Sequence, residues 1–167
     1  MNTDKKISRR EALKRMGFAV MSSAIASSGL LSLASCETKR SKRIIFYFTG
    51  TGNSLYIARQ LAGENAELLS IPQMVKRGKY EFEADEIGIV YPIYGHMPPY
   101  MVRQFIQKAK LKAEYKFAVL TYGARKCDAV EIWDRISRKA DNAFDYINTI
   151  IMVDNWLPNF DMNEQLK

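Results

Sequence analysis

The stretch RIIFYFTGTGNSLYIARQLA, residues 43–62, joins an apolar run to a short polar loop and then to a helical pattern. Residues 43–48 are β-branched, aromatic and nearly all apolar, the signature of a strand buried on both faces. Residues 54–62 place Leu55, Ala58, Leu61 and Ala62 on one helical face, with Gly63 as a stop. A strand that runs through a glycine-bearing loop into a helix start aims backbone N–H groups and the positive helix end at one point. Such a junction suits an anion, and a phosphate above all. It constrains the architecture and the ligand class together.

The rest of the chain repeats the alternation. Residues 66–71, 86–92, 116–123 and 146–153 read as strands, the first stopped by Pro72. Residues 98–110 read as a helix with Pro99 near its first turn and a core stripe of Met101, Val102, Phe105, Ile106 and Ala109. Residues 128–140 read as another, with Asp128 and Glu131 spaced as a capping box and Val130, Trp133 and Ile136 turned inward. Apolar strands alternating with amphipathic helices predict an α/β, doubly wound parallel sheet of five strands. In such sheets ligands lie beyond the carboxyl ends of the strands. The loops that leave those ends are 49–54, 92–98 and 122–128. After the fifth strand, DNWLPNFDMNEQLK has room for about one turn of a final helix, so that helix is expected to be short or missing.

The loop chemistry narrows the phosphate. A nucleotide-triphosphate loop needs a Lys after its second glycine, in G-x-x-x-x-G-K-[ST]. Leu55 stands at that second glycine here and no Lys follows. A dinucleotide fingerprint needs G-x-G-x-x-G; Gly50 and Gly52 fit, but Leu55 again takes the third place. What remains is a loop of hydrogen-bonding side chains. Thr49, Thr51, Asn53 and Ser54 suit a single terminal phosphate, such as that of FMN, held without a cation. In the next two loops, YPIYGHMPP (91–99) and TYGARKC (121–127), Tyr94 and Tyr122 offer aromatic faces and Gly95 and Gly123 allow close backbone approach.

The motif TGTGNS after a strand resembles the phosphate loop of flavodoxins. FYFTGTGNS, YPIYGHMPPYMVRQFI and FAVLTYG together resemble the flavodoxin-like domain of a bacterial family in which it is often fused to a ferredoxin, the so-called ferrodoxin family. The resemblance spans about residues 43–160. It implies a flavodoxin-like sheet of order 2-1-3-4-5 with FMN as cofactor. The cofactor-binding residues it implies are Thr49, Gly50, Thr51, Gly52, Asn53, Ser54, Pro92, Ile93, Tyr94, Gly95, Tyr122 and Gly123. The flavin would do the chemistry, so no catalytic residue is assigned. The sequence given lacks the C-x-x-C-x-x-C repeats of a ferredoxin half, so either this member works alone or the chain is a fragment. The resemblance implies a redox partner protein, with a ferredoxin on another chain among the candidates. The Arg125-Lys126-Cys127 run departs from the small, glycine-rich loop usual in the family.

An electron-transfer protein is the leading expectation. An FMN-dependent NAD(P)H reductase of quinones or similar acceptors, and a cofactor-free flavodoxin-like binding or structural module, are the alternatives. Among single residues, His96 could tune the flavin potential and Cys127 could be redox-active, though a lone loop His or Cys is more often simply solvated. Trp156 suits core packing.

The first 36 residues read as an address rather than as part of the domain. Arg9 and Arg10 precede AVMSSAIASSGLLSLAS, a charged region followed by an apolar one diluted with serine. The pattern Ser-Arg-Arg-x-x-Leu-Lys resembles a twin-arginine export signal. LASC, residues 33–36, resembles a lipobox; the resemblance implies lipidation at Cys36, with residues 37–42 as a tether to a domain over 43–167. The resemblance implies a protein anchored to the outer face of the cytoplasmic membrane, on the periplasmic side. The formal charge of +7 follows this division. Residues 1–35 hold six Lys/Arg against two Asp/Glu, and the remaining basic residues are scattered, which argues against nucleic acid. Two cysteines and no C-x-x-C are too few for a four-cysteine zinc or iron–sulfur site.

Overall fold

The computed structural model describes residues 42–154. The signal-like segment, Cys36, the tether up to residue 41, Trp156 and the stretch expected to hold a curtailed final helix lie outside the described residues.

The main sheet is built from β1 (Arg43–Tyr47), β2 (Ala66–Ser70), β4 (Glu86–Pro92), β6 (Tyr115–Tyr122) and β7 (Tyr146–Ile151). Every pairing is parallel, in the order β2-β1-β4-β6-β7. Counted by its own strands this is the expected 2-1-3-4-5. The crossovers carry α1 (Asn53–Ala62), α2 (Ile71–Arg77), α3 (Tyr100–Lys108) and α4 (Ala129–Lys139). Two three-residue strands, β3 (Glu81–Glu83) and β5 (Lys110–Lys112), pair in parallel as a separate small sheet.

The strands' two-residue period sorts the core onto two faces. Phe46, Ile89, Tyr91 and Leu120 face α2, α3 and α4, meeting Met74, Phe105 and Trp133. Ile45, Val90, Phe117 and Val119 face the other way, where Ala58 and Ala62 of α1 pack. Gly88 lies opposite Phe117 in the β4–β6 register, and the Phe117 ring covers the space a side chain at 88 would need. On the first face Phe46 meets Phe82 edge-on at 4.7 Å, and Tyr91 lies 4.9 Å from Trp133 between ring centroids.

Several details differ from the sequence expectation. The α1 stripe is Ser54, Ala58 and Ala62, with Leu55 only half-buried; small residues at four-residue spacing let the helix lie close to the sheet. Met101 is 42% exposed, because α3 turns Val102, Phe105 and Ile106 inward instead. In α4 the buried residues are Ala129, Ile132, Trp133 and Ser137, and Val130 and Ile136 sit on the flanks. Asp128 makes no side-chain capping bond, so the capping box does not form. Pro72 ends β2 as expected and also opens α2, where its missing N–H costs nothing. That helix, and the β3–β5 pair, have too few residues to show a period in the sequence. β7 is only half-buried, with Tyr146 49% and Ile151 65% exposed.

Candidate functional site

The carboxyl end of β1 is where the chain prepares an anion site. Phe48 N–H donates to Val90 O at 2.9 Å and extends the ladder one step past β1. The chain then turns. Gly52 N–H donates to Thr49 Oγ1 at 2.9 Å, and Gly52 has φ 105, a left-handed value that favours glycine. Helix α1 starts at once, its first bond running from Tyr56 N–H to Gly52 O at 2.8 Å. The N–H groups of residues 53–55 have no acceptor within the helix, and the first turn holds no acidic residue. Amides and positive helix end together favour an anion here.

A cleft of about 220 Å³ opens beside this turn. Ten of the twelve expected residues line it: Thr49, Gly50, Thr51, Asn53, Ser54, Pro92, Ile93, Tyr94, Tyr122 and Gly123. Gly52 and Gly95 do not line it. Each serves a turn instead, Gly52 before α1 and Gly95, at φ 53, after β4. Thr121, Met152, Val153 and Asp154 also line the cleft and were not expected. Thr121 carries a sequence signal only in hindsight, as the hydroxyl next to Tyr122. The other three come from beyond β7, where nothing in sequence spacing points back to residue 53.

The donors are not all free for a ligand. Asn53 Nδ2 donates to Val153 O at 2.9 Å, across 100 residues, and so ties the start of α1 to the segment after β7. Ser54 is buried, and its Oγ shares a hydrogen bond of 2.8 Å with Thr121 Oγ1. Two hydroxyls that share one bond keep one O–H to donate elsewhere. Thr49 Oγ1 accepts from Gly52 and keeps its own proton. Thr51 is exposed. The open donors are therefore the helix-start amides, the Thr49 and Thr51 hydroxyls and one O–H of the Ser54–Thr121 pair.

The loop after β4 forms the opposite wall. Ile93 N–H donates to Thr121 O at 2.8 Å, which holds it to β6. Tyr94 and Met97 exchange backbone bonds of 3.0 and 3.1 Å, and the two residues between them, Gly95 and His96, both have positive φ. This is the two-residue hairpin turn whose centre is left-handed throughout. It presents the Tyr94 ring, 51% exposed, with its hydroxyl resting on Gly50, where a Cβ would lie 2.6 Å from it. Gly123 is likewise pressed by Asp154, which fills the space of a side chain there. Tyr91, just before Pro92, points into the core instead; burial pushes its phenol well above its ordinary pKa, so it stays neutral.

A larger hollow, about 760 Å³, is lined by Arg43 and residues 60–67. It sits at the amino ends of β1 and β2, away from the helix-start donors, and Arg43 is already paired with Glu86 and Leu61 O. Among the described residues no cluster of His, Cys, Asp and Glu could hold a metal ion. Among them no helix is long and apolar enough to cross a membrane.

No protein-family profile matches the chain, and no curated protein sequence matches it. Solved structures do. A flavodoxin from Megasphaera elsdenii, determined in its two-electron reduced state, superposes with a TM-score of 0.50 at 17% identity, covering 74% of this chain and 94% of that one. A Bacteroides eggerthii protein provisionally described as a flavoprotein gives 0.50 at 17% identity, with 75% and 94% covered. A Bacteroides uniformis protein described in the same terms gives 0.50 at 14%, with 70% and 94% covered. At these identities the likeness speaks for the fold: the described domain is a flavodoxin-like α/β sheet with its glycine- and hydroxyl-bearing loops at the carboxyl edge.

Proposed function

We propose that the chain is an FMN-binding electron-transfer protein that uses the cleft between the loops after β1, β4 and β6. The observation that carries this reading is the convergence of helix-start amides, the Thr49 and Thr51 hydroxyls and the Tyr94 and Tyr122 rings on one cleft. These groups fit FMN. The phosphate end meets uncommitted donors with no acidic side chain in the first turn of α1. Gly50 has no space for a Cβ because the Tyr94 hydroxyl rests against it, so a glycine there lets the two loops meet at the cleft. The likeness to a flavodoxin supports the same reading through the shared fold.

The cleft is smaller than most ligand pockets. Tyr94, half-exposed and resting on Gly50, is the side chain that must swing aside to admit a flat ring. Bound FMN would supply the redox chemistry; the protein holds the phosphate, shields the ring and sets its surroundings. The Asn53–Val153 bond keeps the third wall in place, and Ser54–Thr121 fixes the floor.

The N-terminal resemblance to an exported lipoprotein extends the proposal. Acylation of Cys36 would hold the domain at the outer face of the cytoplasmic membrane, where it would exchange electrons with a partner protein, a ferredoxin among the candidates. Labelled fatty acid should enter the full chain in cells and be lost on Cys36→Ala.

The direct test is an FMN titration of the full chain followed by its visible spectrum. The expected result is stoichiometric uptake with flavin bands, weakened by Thr51→Ala combined with Asn53→Ala. Unchanged affinity in that variant would overturn the site. A folded, colourless chain that ignores FMN would overturn the redox reading and favour a cofactor-free binding module. Rapid hydride uptake from NADPH would favour the reductase instead of the carrier.

A further inference from the structure

Beyond the cleft, the loops after β4 and β6 bring three reactive side chains together. Cys127 Sγ lies 3.5 Å from His96 Nε2. On the other side of the ring, His96 Nδ1 lies 3.7 Å from Asp128 Oδ1. The first distance is a sulfur hydrogen bond. The second is longer than a hydrogen bond and acts through charge. Each ring nitrogen thus has its own partner, a thiol on one side and a carboxylate on the other. That is the order of nucleophile, base and orienting acid.

The backbone holds this order by uncommon means. His96 and Cys127 both have positive φ, 71 and 44, which non-glycine residues adopt only where the surroundings hold them. His96 sits at the tip of the Tyr94–Met97 hairpin, and Cys127 stands two residues before α4. Asp128, which could have capped α4, faces His96 instead. All three are exposed, so a reagent in solution reaches the sulfur. Arg125 and Lys126, also exposed, place two cationic side chains just before it in the chain.

We infer that Cys127 is a nucleophilic thiol that undergoes exchange with low-molecular-weight, anionic disulfides. His96 Nε2 takes the proton from Cys127 Sγ. The thiolate attacks one sulfur of the disulfide RS–SR. A Cys127–S–SR bond forms, the RS–SR bond breaks, and RS⁻ leaves with the electron pair. The imidazolium then returns the proton to give RSH. Cys127 is oxidised to the mixed disulfide as one half of the reagent is reduced to thiol. Asp128 is a positioning residue that stabilises the transient imidazolium, and Arg125 and Lys126 select for anionic reagents. The step does not depend on FMN in the cleft.

The test uses the full chain with Cys36→Ser, which leaves Cys127 as the sole thiol. Glutathione disulfide is the anionic probe and bis(2-hydroxyethyl) disulfide the neutral one, with free cysteine as the reference under each condition and the adduct read by mass spectrometry. The native chain should exceed the reference by about tenfold or more, and His96→Asn should remove that advantage. Asp128→Asn should slow exchange severalfold, with Asp128→Glu restoring it. Arg125→Gln with Lys126→Gln should slow the glutathione reaction and leave the neutral one unchanged. Unfolding in urea separates His96 from Cys127 and should also abolish the advantage, which keeps the test decisive if the histidine variant fails to fold. A native chain no faster than the reference, or no faster than its unfolded form, would overturn the proposal.

Discussion

The two ends of the sheet are built to opposite rules. At the amino end, polar groups close on one another. Asp85 and Lys42 clasp the start of β1, with Lys42 N–H donating to Asp85 Oδ2 at 2.6 Å and Asp85 N–H to Lys42 O at 2.9 Å. Asp145 and Lys116 repeat the same clasp at β6, with 2.7 and 2.8 Å. Buried Asn142 donates to the carbonyls of Ile106, Ala109 and Ala140 and accepts from Leu111 N–H, which pins the ends of α3 and α4 to β5. At the carboxyl end, helix-start amides and threonine hydroxyls stay open, Tyr94 is half-exposed, and His96 and Cys127 sit in left-handed conformations. One end stores stability and the other keeps groups available. Loops that serve a ligand must leave hydrogen-bonding capacity unspent, and the rest of the molecule has to supply the rigidity.

The strongest way to break this contrast is Asn142→Ala. It strands two buried carbonyls, one part-buried carbonyl and one buried N–H, and should cost about 3 kcal/mol or more. Chemical denaturation measures the loss. FMN affinity of the molecules that remain folded should not change, because Asn142 lies at the far end of the sheet.

Ser54→Ala tests the floor of the cleft. It leaves the Thr121 hydroxyl buried without its partner, at about 1–2 kcal/mol. Thr121→Val in the same chain should recover part of that loss, since removing both hydroxyls strands neither. A double-mutant cycle should return a coupling of about 1 kcal/mol, and none would mean the two hydroxyls act independently.

Asn53→Ala should cost less stability, about 1 kcal/mol, since the bond it breaks is only part-buried. Its effect on FMN should be larger in proportion, roughly a tenfold loss of affinity by spectroscopic titration, which corresponds to about 1.4 kcal/mol. A stability loss without an affinity loss would place the segment after β7 outside the site.

The smallest effect belongs to the exposed pair Glu81–Lys110, 2.6 Å apart on the small β3–β5 sheet. The Lys110 hydrogen bond and charge hold the Glu81 carboxyl below its ordinary pKa, and Glu81 in turn raises Lys110. A depressed acid contributes stability above its unfolded pKa and loses it as pH falls through its folded value. A raised base contributes below its unfolded pKa and loses it as pH rises through its folded value. The pair should therefore add slightly to stability between these limits. Glu81→Gln should remove that small pH dependence, and high salt should mask it.

Much of this was legible in the sequence because it follows from local periodicity. β4 begins and ends where the apolar run EIGIVYP does, and the alternation of strands with helices predicted a parallel sheet, whose order the flavodoxin resemblance implied. The first loop was readable because glycine and hydroxyls before a helix have few other uses. Short elements were not. α2 spans seven residues and β3 and β5 three each, too few to display a period. Exposure on helix flanks also escaped, as Met101 and Leu55 show, since a hydrophobic residue one position off the stripe looks the same in sequence.

The sequence by itself determined the parallel sheet and the anion-favouring turn at residues 49–54, because strand period, helix period and turn chemistry are set by neighbours along the chain. The tertiary structure alone decided which distant groups meet. It tied Asn53 to Val153, shared the hydroxyls of Ser54 and Thr121, set Asp154 against Gly123, and brought Cys127, His96 and Asp128 together. Those meetings depend on how crossovers return the strand ends to one edge of the sheet, and no spacing within a single segment encodes that return.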